Sequence, residues 1–153
     1  MQILTTNPQL TRRMFLGGAF TISAGSIAWS QINKLPFDGE AIDPPTAYKL
    51  AQSGAITLLD IRRPDEWART GSGQGAHKLD MRRKDFITAL DLLLSGDKTK
   101  PVALICAHGV RSNRMSEKLK KAGFSKIIDV PEGMLGSKAG PGWIKRKLPL
   151  NRS

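Results

Sequence analysis

Pro101-Val102-Ala103-Leu104-Ile105-Cys106, then Ala107-His108-Gly109-Val110-Arg111, then Ser112 to Ala122, reads as a strand, a short loop and a helix. The first run is apolar on successive residues, as a strand covered on both faces must be. In the last run Met115, Leu119 and Ala122 share one helical face. Lys118, Lys120 and Lys121 sit in its last turn, where the helix dipole favours cations, and Gly123 supplies the C-terminal cap. A strand feeding a helix through a short loop is the unit of a parallel sheet, and in such sheets ligands gather outside the carboxyl ends of the strands. Cys106 lies at such an end.

The flanking sequence repeats the unit. Upstream, Asp43-Pro44-Pro45 with Ala47, Leu50 and Ala51 predicts a capped helix ending near Gly54. Ile56 to Ile61 predicts a second buried strand, and Arg62-Arg63-Pro64-Asp65-Glu66-Trp67 a brief helical turn. Gly71, Gly73 and Gly75 mark a flexible loop, and His77 to Met81 a short strand. A helix is expected from about Lys84 through Phe86, Leu90 and Leu93-Leu94 to a stop at Gly96. Downstream, Lys126 to Val130 reads as the final strand, closed by Pro131, and Gly133 to Pro149 as an ordered wrapping loop anchored by Trp143. The expected fold is α/β, an open parallel sheet of about four to five strands with helices on both faces. The domain is placed at residues 41–149, after a linker at 31–40 and before a tail at 150–153.

The chain has 153 residues, enough for one hydrophobic core. Its 40% hydrophobic and 24% charged residues place it among globular proteins rather than disordered ones. Lys+Arg 24 against Asp+Glu 13 gives +11, an attraction for anions. Nucleic-acid binding is not expected, because no aromatic or groove-reading features accompany the charge. Ahead of the domain, Thr11-Arg12-Arg13-Met14-Phe15-Leu16 opens a stretch without charge until Lys34 and resembles a twin-arginine export signal. Its apolar middle is diluted by Gly17, Gly18, Thr21, Ser23, Gly25 and Ser26, unlike a spanning helix. Residues 1–30 are thus expected to direct the protein to the periplasm, with cleavage after Ser30 and membrane contact only if the signal is retained. A single cysteine excludes an internal disulfide and leaves one thiol free in that compartment.

A lone cysteine after an apolar strand is by default a small buried hydrophobe. The residues after Cys106 argue for reactivity. The backbone N–H groups of Ala107 to Val110 and the start of the next helix can converge on the sulfur and favour its anion. Gly109 permits close backbone approach, and Arg111 offers a planar cation for an oxyanion.

Cys106-Ala107-His108-Gly109-Val110-Arg111-Ser112 resembles the active-site loop of the rhodanese superfamily. Leu58-Leu59-Asp60-Ile61-Arg62 with Pro64-Asp65-Glu66-Trp67 is similar to its second-strand signature, and Ala122-Gly123-Phe124 and Glu132-Gly133-Met134 fit its C-terminal half. The likeness spans about residues 41–149. It implies a sulfurtransferase whose Cys106 takes a sulfane sulfur from a thiosulfate-like anion and passes it to cyanide or a thiol. Ala107, His108, Gly109, Val110 and Arg111 would bind the donor, with Asp60, Arg62 and Ser112 in support. His108 is expected to touch the pocket rather than act as a general base. Gly71-Ser72-Gly73-Gln74-Gly75-Ala76 departs from the family's Gly-His-Ile-Pro-Gly-Ala and receives no role. No cofactor motif is present, and His77, His108 and Cys106 lack zinc-type spacing, so no metal is expected. Arg62, Arg63, Arg82, Arg83 and Arg111 follow strand ends and could crowd one rim. Two alternatives remain: a sulfur carrier docking on a periplasmic partner with little thiosulfate turnover, and a phosphatase or arsenate reductase of the same fold. Relatives of the latter kind carry one more residue between cysteine and arginine.

Overall fold

The computed structural model describes residues 39–152; the twin-arginine segment at 1–30 and residues 31–38 lie outside the described residues, as does Ser153. In chain order the strands are β1 (Glu40–Ala41), β2 (Thr57–Asp60), β3 (Ser72–Gly73), β4 (Ala76–Lys78), β5 (Val102–Ile105), β6 (Ile127–Asp129) and β7 (Leu150–Asn151). The helices are α1 (Pro44–Gln52), α2 (Pro64–Thr70), α3 (Phe86–Leu93), α4 (Val110–Lys121) and α5 (Gly142–Lys145).

The main sheet runs β1-β6-β5-β2-β4 with every pairing parallel. The apolar run before Cys106 therefore forms the central strand, and the cysteine emerges in the middle of the sheet's carboxyl edge. Side chains alternate between two cores, as the period of two requires. Val102, Leu104 and Cys106 face the core shared with Phe86 and Leu90 of α3 and Met115 and Leu119 of α4. Ala103 and Ile105 face the opposite core, with Ala47 of α1 and Trp143 of α5. Helices thus cover both faces.

Local chemistry explains the helix starts. The Asp43 carboxylate accepts a hydrogen bond from the Thr46 N–H at 2.8 Å, capping α1. In α2, Pro64 takes the first turn and Glu66 at its third position accepts from the Arg63 N–H at 3.0 Å, half of a capping box. Trp143 anchors the C-terminal wrap: it is fully buried, meets Tyr48 edge to face at 5.9 Å and donates its indole N–H to the Pro149 carbonyl at 2.9 Å.

Four expectations need correction. The glycine-rich stretch is not a loop throughout, because Ser72–Gly73 pair antiparallel with Leu150–Asn151 in a second sheet. Gly73 lies against the Trp143 ring, where a Cβ has no room. Residues 150 and 151 are accordingly part of the domain and not a tail. Glu40, placed in the linker, pairs with Ile128 as an edge strand. Finally, α4 starts at Val110 rather than near Ser112, because Gly109 takes the left-handed conformation (φ 79°, ψ −21°) and turns the chain into the helix at once. Val110, Arg111 and Ser112 therefore form the first helical turn, and the loop proper is Cys106 to Gly109.

Candidate functional site

Cys106 directly follows β5, 1% exposed, at the floor of the site. The segment after β6 braces its loop from beneath. The Met134 N–H donates to the Cys106 carbonyl at 2.8 Å and the Leu135 N–H to the Ala107 carbonyl at 2.9 Å. Both glycines of the contact are required by space: a Cβ on Gly109 would strike the Pro131 carbonyl, and one on Gly133 the Ala107 carbonyl. With its carbonyls held from below, the loop passes directly into the first turn of α4, whose unpaired N–H groups favour an anion.

The Cys106 thiol donates to Ser112 Oγ at 3.6 Å, and that hydroxyl donates to the Gly109 carbonyl at 3.0 Å. Ser112 thus stands beside the sulfur as a hydroxyl able to rotate toward it once it carries charge. His108 is exposed, and its Nδ1 lies 2.6 Å from the Gly136 carbonyl. Since a carbonyl only accepts, Nδ1 carries the hydrogen, which pins the ring to the bracing segment.

Arg111 is not the free cation the sequence suggested. Its fork grips the Glu66 carboxylate twice, Nη1 to Oε2 at 2.7 Å and Nη2 to Oε1 at 2.6 Å, tying α4 to α2. The pairing raises the Arg111 pKa, to which the nearness of Cys106 adds a smaller part. Arg111 is therefore held by Glu66 with its charge near the sulfur. Glu66 escaped sequence reasoning as a site residue. Its helix-capping position explained its presence, while its partner lies 45 residues away.

The rest of the basic rim is likewise paired. Arg82 binds Asp80 and Arg83 binds Asp85, each at 2.6 Å, and Arg63 binds Asp65 at 3.0 Å. Arg62 is buried rather than on the rim. Its Nη2 donates to Asp60 Oδ2 and to the Gly71 carbonyl, each at 2.7 Å, its Nε to Asp60 Oδ1 at 2.9 Å, and its Nη1 to Thr70 Oγ1 at 2.9 Å. Asp60 and Arg62 thus tie the end of β2 to the last turn of α2. Among the described residues no group of three His, Cys, Asp or Glu side chains gathers to hold a metal ion, and no helix is long and apolar enough to cross a membrane.

The Glu66 carboxyl is lowered from 4.5 to about 2, chiefly by the hydrogen bonds from Arg111. A carboxyl lowered on folding stabilises above its unfolded pKa and loses that contribution as the pH falls through the folded one. The Arg111 clamp is therefore complete above pH 4.5 and fails toward pH 2. Urea unfolding across that range is expected to show a steeper acid loss in the wild type than in Glu66→Gln; parallel curves would contradict it.

Comparison with known proteins agrees with this fold. The model of the rhodanese-like domain matches residues 43–139. Among curated proteins, a thiosulfate sulfurtransferase, GlpE, of Actinobacillus pleuropneumoniae is 28% identical over 109 residues, covering 71% of this chain and 90% of the relative. A tRNA uridine(34) hydroxylase of Pelagibacter ubique is 32% identical over 95 residues, 61% of this chain but 30% of that protein. Among solved structures, the polysulfide-sulfur transferase homodimer of Wolinella succinogenes superposes with a TM-score of 0.58 at 26% identity, covering 83% of this chain and 88% of that one.

Proposed function

Because the chain belongs to the rhodanese-like domain family, we propose that it is a sulfurtransferase that carries sulfur as a persulfide on Cys106. The observation that carries this reading is the placement of the Cys106 sulfur at the centre of the sheet's carboxyl edge, beside Ser112, Arg111 and the first turn of α4. The Cys106 thiolate attacks the outer sulfur of a thiosulfate-like anion; the S–S bond of the donor breaks and sulfite leaves. Ala107, His108, Gly109, Val110 and Arg111 line the anion's approach, while Ser112 and the helix N-terminus stabilise the new terminal sulfur anion. Cyanide or a thiolate then attacks that sulfur, and Cys106 leaves as thiolate. With no second cysteine in the chain to form a disulfide, the sulfur departs only to an outside acceptor. The twin-arginine motif supports a periplasmic setting for this chemistry.

A one-sulfur mass gain after incubation with thiosulfate, localised to the peptide bearing Cys106 and removed by cyanide, is the expected result. No adduct with any sulfane donor would refute the persulfide. A carrier that docks on a periplasmic protein is the second reading. It is favoured by Val110 and Leu135, which are 54% and 46% exposed and belong to the two segments that frame the loop. An adduct that forms but yields little thiocyanate would select it.

A further inference from the structure

We propose that Asp129 is a positioning residue that governs the reactivity of Cys106 through the Ser112 hydroxyl. Asp129 ends β6 and pairs with Leu104, two residues before Cys106 on the neighbouring strand and on the same face of the sheet. It is 1% exposed, and its Oδ1 is buried without a hydrogen-bond partner. The first turns of α4 present Ser112, Asn113 and Ser116 on one side of the helix, all buried. Asn113 Nδ2 and Ser116 Oγ are also buried without partners. Sulfur transfer at Cys106 does not account for such a cluster of polar atoms beneath the active-site helix, each costly when left unsatisfied.

Ser112 is the member common to both groups. It contacts the sulfur on one side, and on the other it and Asn113 lie near enough to the Asp129 carboxyl to pull against its raised pKa. The groups facing Asp129 can be named element by element. From α4 they are the neutral Ser112, Asn113 and Ser116; from β5, Leu104 and, beyond it, Cys106; from β1, Ala41, with exposed Glu40 one residue earlier. α3 adds apolar Phe86, Leu90 and Leu94 to the same core. Burial raises the Asp129 pKa from 3.8 to about 6, against the opposing pull of Ser112, Asn113 and the Val130 N–H.

Two hydrogen-bond patterns follow. A protonated Asp129 donates to Ser112 Oγ, and the serine hydrogen, held by the Gly109 carbonyl while the thiol is neutral, can turn to an anionic sulfur. An ionised Asp129 accepts that hydrogen instead and places a negative charge behind the sulfur, so the sulfur anion loses one stabilising donor. The second state is filled as the pH rises through about 6.

The inference rests on Cys106 being the reacting thiol, but its test reads thiol reactivity rather than sulfur transfer, so the two readings fail separately. Alkylation of Cys106 by iodoacetamide is followed against pH in the full-length protein, in Asp129→Asn and in Ser112→Ala. The ratio of wild-type to Asp129→Asn rates is expected near unity well below pH 6 and near one fifth well above it, about the fivefold effect of one net hydrogen bond. In the Ser112→Ala background the same Asp129 substitution is expected to change nothing. A flat ratio would overturn the proposal, and an undiminished step in the Ser112→Ala background would overturn the route through the serine. Should Asp129→Asn not fold, the Ser112→Ala profile alone decides: it must lose the inflection near pH 6 that the wild type shows.

Discussion

Serine in place of Cys106 is expected to lower sulfur transfer by a factor on the order of 10⁴ or more, with little loss of stability. The size follows from the chemistry. An alkoxide is scarcely available at neutral pH, and the bond it would form to sulfur is a poor one to break again, whereas a thiolate is both a strong nucleophile and a good leaving group. The small effect on stability follows from the packing. Serine is nearly isosteric, and Ser112 Oγ, 3.6 Å from the sulfur, is positioned to pair with the new hydroxyl. A loss of about 1 kcal/mol in urea unfolding is therefore expected. A Cys106→Ser protein that still turned over thiosulfate and cyanide within tenfold of the wild type would show that sulfur does not travel on this residue. One that was inactive because it had unfolded would contradict the packing instead, and the unfolding curve separates the two.

The sheet was legible because parallel strands buried on both faces must be apolar on successive residues. Val102–Ile105 and Thr57–Asp60 lie within the runs that stand out for that reason. The helix starts were legible where a side chain announces them, as Asp43 and Pro64 do. The strands β1, β3 and β7 were not. Each has two residues held by backbone pairing alone, which leaves no periodicity to read. At the site, Cys106, Gly109 and Arg111 were visible because local chemistry demands them at fixed offsets. The pairing of Arg111 with Glu66 was not, since it joins two helix starts that only the folded sheet brings together. The early start of α4 has the same origin, in that Gly109 turns left-handed where the Pro131 carbonyl packs against it. Asp129 was hidden by its strand, where a single acid among isoleucines and valine gives no sign of which polar groups lie above it.

Methionine in place of Arg62 is expected to destabilise the domain by about 3–5 kcal/mol, the cost of leaving a buried ion without its partner. Arg62 and Asp60 are 1% and 0% exposed, so no solvent replaces what the guanidinium supplies. Its removal leaves the Asp60 carboxylate without its cation and takes one donor from the Gly71 carbonyl and the contact to Thr70 together. Asp60→Leu added to Arg62→Met removes the stranded charge and should recover part of the loss, because an apolar pair of similar volume tolerates burial. Recovery should be incomplete, since the Gly71 carbonyl has lost the stronger, charged of its two donors and keeps only the Thr70 hydroxyl. The damage should also reach the site. Arg62 fixes the last turn of α2, and the first turn of α2 carries Glu66, which holds Arg111 beside Cys106. At temperatures where the double variant stays folded, its transfer rate should therefore fall although no residue of the Cys106 loop has changed. A double variant with wild-type stability and full activity would mean that the Asp60 and Arg62 pair neither supports α2 nor orients Arg111 through it.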